Sequence, residues 1–209
     1  MTLVFKPEPK GVADAVKSGL NKMHAMRAFG TPRLARIISE RTERDAPQSA
    51  PMPSQALPVY TLGLNDLAEG KDFAAAHQTG WRYLLKHGND VVASADAVID
   101  PRGEAIFAQV SEGPLVTGLN SAIQAANSKE SLVKGEYEVR LLMVPALYVA
   151  ALWFVDKAEG QDLAMPIDPV PVPSTLIPNK VITGKEMLSL LHEAALELQS
   201  AQPSEKEGP

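Results

Sequence analysis

"YEVRLLMVPALYVAALWFVDK", residues 137–157, decides the fold, because it holds fifteen consecutive uncharged residues, Leu141 to Val155, in a chain of near-neutral mean hydropathy. A membrane-crossing helix needs about 20 largely apolar residues. This run is shorter, contains Pro145 and is bounded by Arg140 and Asp156. The residues before it point to a strand: Glu136, Glu138 and Arg140 alternate with Tyr137, Val139 and Leu141, the two-residue period of a pleated chain with one wet face. From Leu141 both parities are apolar, as expected where a strand enters a region covered on both faces. Pro145 marks a bulge, a bend or a new element. Residues 146–155 read as a second strand, from the β-branched and aromatic residues between Tyr148 and Val155, or as a short buried helix with Leu147, Ala150, Ala151 and Phe154 on one stripe.

Working outward from this run, two hairpins precede it. "WRYLL" at 81–85 connects through "KHGND" to "VVASADAVI" at 91–99, and "DPRGE" turns the chain into "AIFAQVSE" at 105–112. In that turn Asp100 and Pro101 preset the bend, and Gly103 supplies a residue able to take positive φ. "VYTLGL", from Val59, is a further short strand, and "NDLAEGKDFAAAHQTG" reads as either a short helix or a loop. Between 113 and 131 the period changes: Leu115, Leu119, Ile123 and Ala126 make an apolar helical face. "AMPIDPVPVPSTLIPNK", with prolines at 166, 169, 171, 173 and 178, excludes a regular interior strand or helix. A final amphipathic helix opens with Thr183 and Glu186 at capping-box spacing, carries Met187, Leu190, Leu191, Ala194 and Leu198, and ends near Ser200.

The chain has 209 residues, 45% hydrophobic and 22% charged, enough for one domain with extensions. It has no cysteine, which excludes disulfides, thiolate metal sites and cysteine nucleophiles. The first residues show neither the basic start nor the apolar stretch of a secretory signal, so the cytoplasm is the expected compartment. The net charge of −5 is divided unevenly. Residues 1–45 carry nine Lys/Arg against five Asp/Glu, and the remainder carries eleven against twenty. The basic segment reads as two helices broken at "FGTP", and "APQSAPMPSQALP" after it as a polyproline-prone linker. The expected organisation is thus a basic amphipathic helical extension (1–45), a linker (46–58), an α+β body (59–200) and a disordered tail (201–209). The body is expected to hold an antiparallel sheet of about five or six strands with helices packed on one face.

No reaction motif is present: there is no GxSxG, GxGxxG or GxxxxGK[ST]. The histidines, His24, His77, His87 and His192, have no paired spacing, and no metal or other cofactor is expected. Stacking on nucleic acid is disfavoured by the acidic body. The large rings, Trp81, Tyr83, Tyr137, Tyr148 and Trp153, are expected to pack in the core. The favoured function is therefore a non-catalytic protein-protein interaction or assembly module, acting on a protein partner or by self-association. Its docking element is the N-terminal arm, through Met23, Met26, Leu34, Ile37 and Ile38. That arm has two other possible homes, its own body and an anionic membrane surface. The rival is a small-molecule-binding or enzymatic domain with a pocket between sheet and helix, anchored by Asp96, mid-strand among small residues, or by Arg140. Arg82 and Arg140, flanked by apolar residues, have two uses: pairing with nearby acids, or reaching a carboxylate or phosphate ligand.

Overall fold

A computed structural model describes residues 4–26, 28, 52–54, 56–130, 132, 135–158, 160–171 and 175–201. The charge-free run forms a hairpin at the centre of the sheet. Strand β7 (Tyr137–Val144) turns through a 3₁₀ segment, Pro145–Leu147, into β8 (Val149–Asp156), and the two pair antiparallel along their whole length. The strand reading of the second half therefore holds from Val149 onward. Pro145 ends the ladder, and Tyr148 closes the turn in the left-handed region, φ 53. This ring stands 84% exposed at the hairpin tip, outside the core expected for it.

On one side β8 pairs with β9 (Leu163–Pro166), which pairs with β10 (Ile182–Thr183). On the other, β7 runs parallel to β3 (Leu57–Thr61), followed antiparallel by β4 (His77–His87), β5 (Asp90–Ile99) and β6 (Ala105–Ser111). Two-residue strands β1 (Val4–Phe5) and β2 (Met52–Pro53) pair with β7 and β4, making ten strands among the described residues. The sheet is larger than expected, and mostly rather than wholly antiparallel. The extra strands are short pieces with little periodicity of their own. Pro166 is tolerated because it ends β9, beyond the two positions where β10 pairs, so its missing N–H leaves no gap in that ladder.

The second correction concerns the helices, which lie on both faces. Register puts Val139, Leu141, Leu152 and Phe154 on one face. They are covered by α3 (Pro114–Ser128), through Val116, Leu119, Ala122 and Ala126. Pro114 sits in the first turn of this helix, and Gly113 precedes it at φ 114, a conformation that favours glycine. Gly118 lies directly against the backbone carbonyl of Asp168, leaving no room for a Cβ. The opposite face, with Tyr60, Leu142, Val144, Ala151 and Trp153, is covered by α4 (Gly184–Ala201) through Met187, Leu191 and Ala195. The expected cap is present, Thr183 Oγ1 accepting from the Glu186 N–H at 3.1 Å. A short helix, α2 (Leu64–Ala68), packs on α4, where His192 Nδ1 and the Leu67 carbonyl lie 2.7 Å apart.

The third correction is to the separate helical extension. Its first helix, α1 (Val12–Ala25), packs on β5 and β6. Val12 and Val16 are fully buried against Trp81, Tyr83, Leu85 and the alanines of β5. Gly19 touches the Phe107 side chain, so the helix lies close to β6. Small residues on the strands allow that approach, and burial of Val12 and Val16 against them favours it by about 2 kcal/mol each. The second expected helix, with "FGTP" and most of the linker, lies outside the described residues. The "DPRGE" turn forms as read, Asp100 Oδ1 accepting from the N–H groups of Arg102 and Glu104, with Gly103 at φ 82.

Candidate functional site

The two strand arginines lie on opposite faces and have different surroundings. Arg82, on β4, is opposite Asp96 on β5, on the α3 side of the sheet. Its Nε and Nη2 donate to the two Asp96 oxygens at 2.7 and 2.8 Å, and Gln109 Nε2 donates to Asp96 at 2.9 Å. The side chains are 10% and 14% exposed, so this is a nearly dry fork-to-fork pair. Asp96 thus has an occupant for both oxygens, and it does not line the cleft described next.

Arg140 lies on the α4 face of β7, in the corner of two rings that register brings to it. Trp153 is its cross-strand partner on β8, and Tyr60 on β3 is opposite Leu142, one same-face step along β7. The guanidinium carbon is 4.6 Å from the Tyr60 ring centroid and 4.7 Å from that of Trp153, both within cation–π range, and the two rings meet edge to face with centroids 5.5 Å apart, so they form a corner against the guanidinium. Nε donates to Glu138 Oε1 at 2.8 Å, an i to i+2 contact along one face of the strand. The two terminal nitrogens hydrogen-bond to no described residue, and the side chain is 21% exposed.

Arg140 lines a cleft of ≈ 790 Å³ together with Trp153, Phe73, Asp162, Lys185 and Leu188, among others. One wall is the segment before β4, where Asp72 caps the 3₁₀ turn Phe73–Ala75 by accepting from the Ala74 N–H. The other wall is the first turn of α4. Phe73 packs on Trp153 with centroids 4.8 Å apart and the rings tilted by 35°. Trp153 Nε1 donates to Asp162 Oδ2 at 2.8 Å, while Asp162 Oδ1 accepts from the Asp156 N–H at 3.0 Å. Both Asp162 oxygens are thereby engaged in holding the indole and the loop after β8.

A guanidinium set in an aromatic corner and tethered at Nε keeps two parallel terminal N–H donors, a geometry that matches a planar anion. Its contacts with the two rings and with Glu138 reduce the rotamer entropy that a flexible arginine would lose on binding. Sequence reasoning selected Arg140 and missed Tyr60, Trp153, Phe73, Asp162 and Lys185. The available signal was the "EYEVR" alternation, which puts Arg140 on a strand face. Its ring partners come from other strands and needed the register. Of the expected docking residues, Met23 is half-buried on α1 and Met26 is 75% exposed. Leu34, Ile37 and Ile38 lie outside the described residues. Among the described residues no group of three or more His, Asp or Glu side chains is placed to hold a metal ion. No helix among them is long and apolar enough to cross a membrane. Comparison with protein-family models, with curated proteins and with solved structures finds no match to this chain.

Proposed function

We propose that this protein is a non-catalytic recognition module that holds an anionic group of its partner in the Arg140 cleft. The observation that carries the reading is a guanidinium set in the corner of Tyr60 and Trp153, with terminal nitrogens that hydrogen-bond to no described residue, on a side chain that lines an open cleft. The surrounding groups are arranged for holding rather than for proton transfer: Asp162 is engaged at both oxygens, and the rings are packed on one another. A carboxylate or similar planar anion with an adjacent apolar group fits this combination of fork and aromatic wall.

The test uses the indole N–H signals of the two tryptophans in a nitrogen–proton correlation spectrum. Trp153 reports on the cleft, and Trp81, buried on the α1 side of the sheet, is an internal control. Titration with N-acetylglutamate amide is expected to move the Trp153 signal saturably, leave Trp81 in place, and have no effect in Arg140→Met. An unmoved Trp153 signal, or the same movement in Arg140→Met, overturns the reading.

A second reading keeps the N-terminal arm, with Met23, Met26, Leu34, Ile37 and Ile38, as the docking element. The exposure of Met26 at the end of α1 favours it. On this reading, Met26→Asp with Ile38→Asp in the full chain lowers the native mass measured by light scattering. An unchanged mass removes self-association through the arm.

A further inference from the structure

The cleft does not end at Lys185. Asp72, Lys185 and Leu188 are shared with a second hollow of ≈ 280 Å³, which continues along α4 past Gly70, Lys71, Ser189 and His192. From Lys185 to His192 is about 10 Å of helix at 1.5 Å per residue, the reach of three residues of extended chain.

Its charges are not uniform. Lys71 is already held by Asp66 at 2.7 Å and Glu69 at 3.0 Å. Lys185 is exposed, lines both hollows and makes no ion pair with a described residue. Its position in the first turn of α4 is unfavourable for the helix, whose N-terminus carries partial positive charge. A lysine there opposes helix stability and leaves a cation at the groove wall. Phe73 and Leu188 line the same hollow as the two cationic groups, and Asp72, with Oδ1 bound to the Ala74 N–H, keeps Oδ2 as an acceptor.

Resting on the reading of the Arg140 cleft as an anion site, we infer that the occupant of the whole groove is an extended acidic peptide segment of a partner. One carboxylate lies on Arg140, an apolar side chain lies against Phe73 and Leu188, and a second carboxylate lies beside Lys185. A peptide rather than a small dicarboxylate is selected by the length of the groove and by Asp72, which accepts a hydrogen bond from a backbone N–H that a dicarboxylate lacks.

The probes are fluorescein-labelled hexapeptides carrying two glutamates one to three residues apart around a leucine, their single- and double-glutamine analogues, and glutarate as the small dicarboxylate. Fluorescence anisotropy on the full chain is expected to show saturable binding of at least one diglutamate spacing. That binding weakens about fivefold in Lys185→Gln, the size of one exposed ion pair, and at least tenfold in Arg140→Met. It also weakens as salt is raised. Lys185→Gln removes a cation from a helix N-terminus, so the variant folds at least as well as the parent, and thermal melts verify this. Equal binding of the glutamine analogues, no effect of Lys185→Gln, or glutarate competing as strongly as the peptide overturns the peptide groove while leaving an Arg140-dependent Trp153 response to N-acetylglutamate amide intact. Loss of that response as well overturns both readings.

Discussion

Removing the Asp96 carboxylate tests whether the two arginines have the different roles assigned to them. Asp96→Ala removes three hydrogen bonds, two of them from Arg82, and leaves that guanidinium where only 10% of its surface meets solvent. Breaking a buried pair from one side costs roughly 3–5 kcal/mol, and the residual exposure of both partners places this case at the lower end, about 3 kcal/mol. That is a large part of the roughly 5–15 kcal/mol that holds a domain folded. At a urea dependence of about 2–3 kcal/mol/M, the unfolding midpoint followed by circular dichroism falls by about 1–1.5 M. Replacing both partners, Arg82→Met with Asp96→Leu, leaves no stranded charge and returns stability to within about 1 kcal/mol of the parent. Arg140→Met is the milder contrast: it removes one hydrogen bond to Glu138 rather than three, from a pair 21% and 17% exposed, together with its ring contacts, and costs about 1–2 kcal/mol. A cost below about 1 kcal/mol for Asp96→Ala, or a double variant as unstable as the single one, refutes the structural role of the pair.

Three further outcomes follow from packing and burial. Gly118→Ala puts a methyl group against the Asp168 carbonyl, a backbone atom unable to rotate away, and loses about 2–3 kcal/mol net despite the better helix propensity of alanine; chemical denaturation measures it. Gly19→Ala meets the Phe107 ring, and is expected to destabilise the parent by about 1–2 kcal/mol but to be neutral in a Phe107→Ala background, as α1 docked on β6 requires. The Tyr83 hydroxyl is buried beneath α1 without a hydrogen bond of good geometry; burial first, then the Glu8 and Asp14 carboxylates, push its pKa up. Its neutral form therefore stabilises the fold fully below the unfolded tyrosine pKa of about 10, and this contribution is lost as pH rises beyond it. Tyr83→Phe is expected to flatten the decline of thermal stability between about pH 10 and 11.5, and an unchanged decline removes Tyr83 as its source.

The parts legible before folding are those whose cause lies within a few residues. The "DPRGE" turn is made by one Asp100 side chain and one glycine, and the α4 cap by Thr183 alone, so both could be read directly. Strands β9 and β10 escaped because four and two residues carry too little periodicity, and because Pro166 obeys a rule that depends on which neighbour pairs with it. At the candidate site, Arg140 was visible as a charge in an apolar strand. Arg82 and Asp96 had the same local appearance and differ because register gives each a fork partner, whereas register gives Arg140 two rings.

What the amino-acid sequence determined by itself is that residues 137–144 form a strand that enters a doubly covered region, since alternation gives way there to uninterrupted apolar character; whether residues 146–155 continue as strand or helix was settled by the pairing with β7. What covers those faces was decided by tertiary structure: α3 on the Leu141 side and α4 on the Leu142 side. Hydrophobic burial has no direction, so an apolar face specifies that it will be covered and not by which element. The Arg140 cleft follows from that choice, because α4 contributes Lys185 and Leu188 to its wall only after Met187 and Leu191 have seated the helix on the sheet.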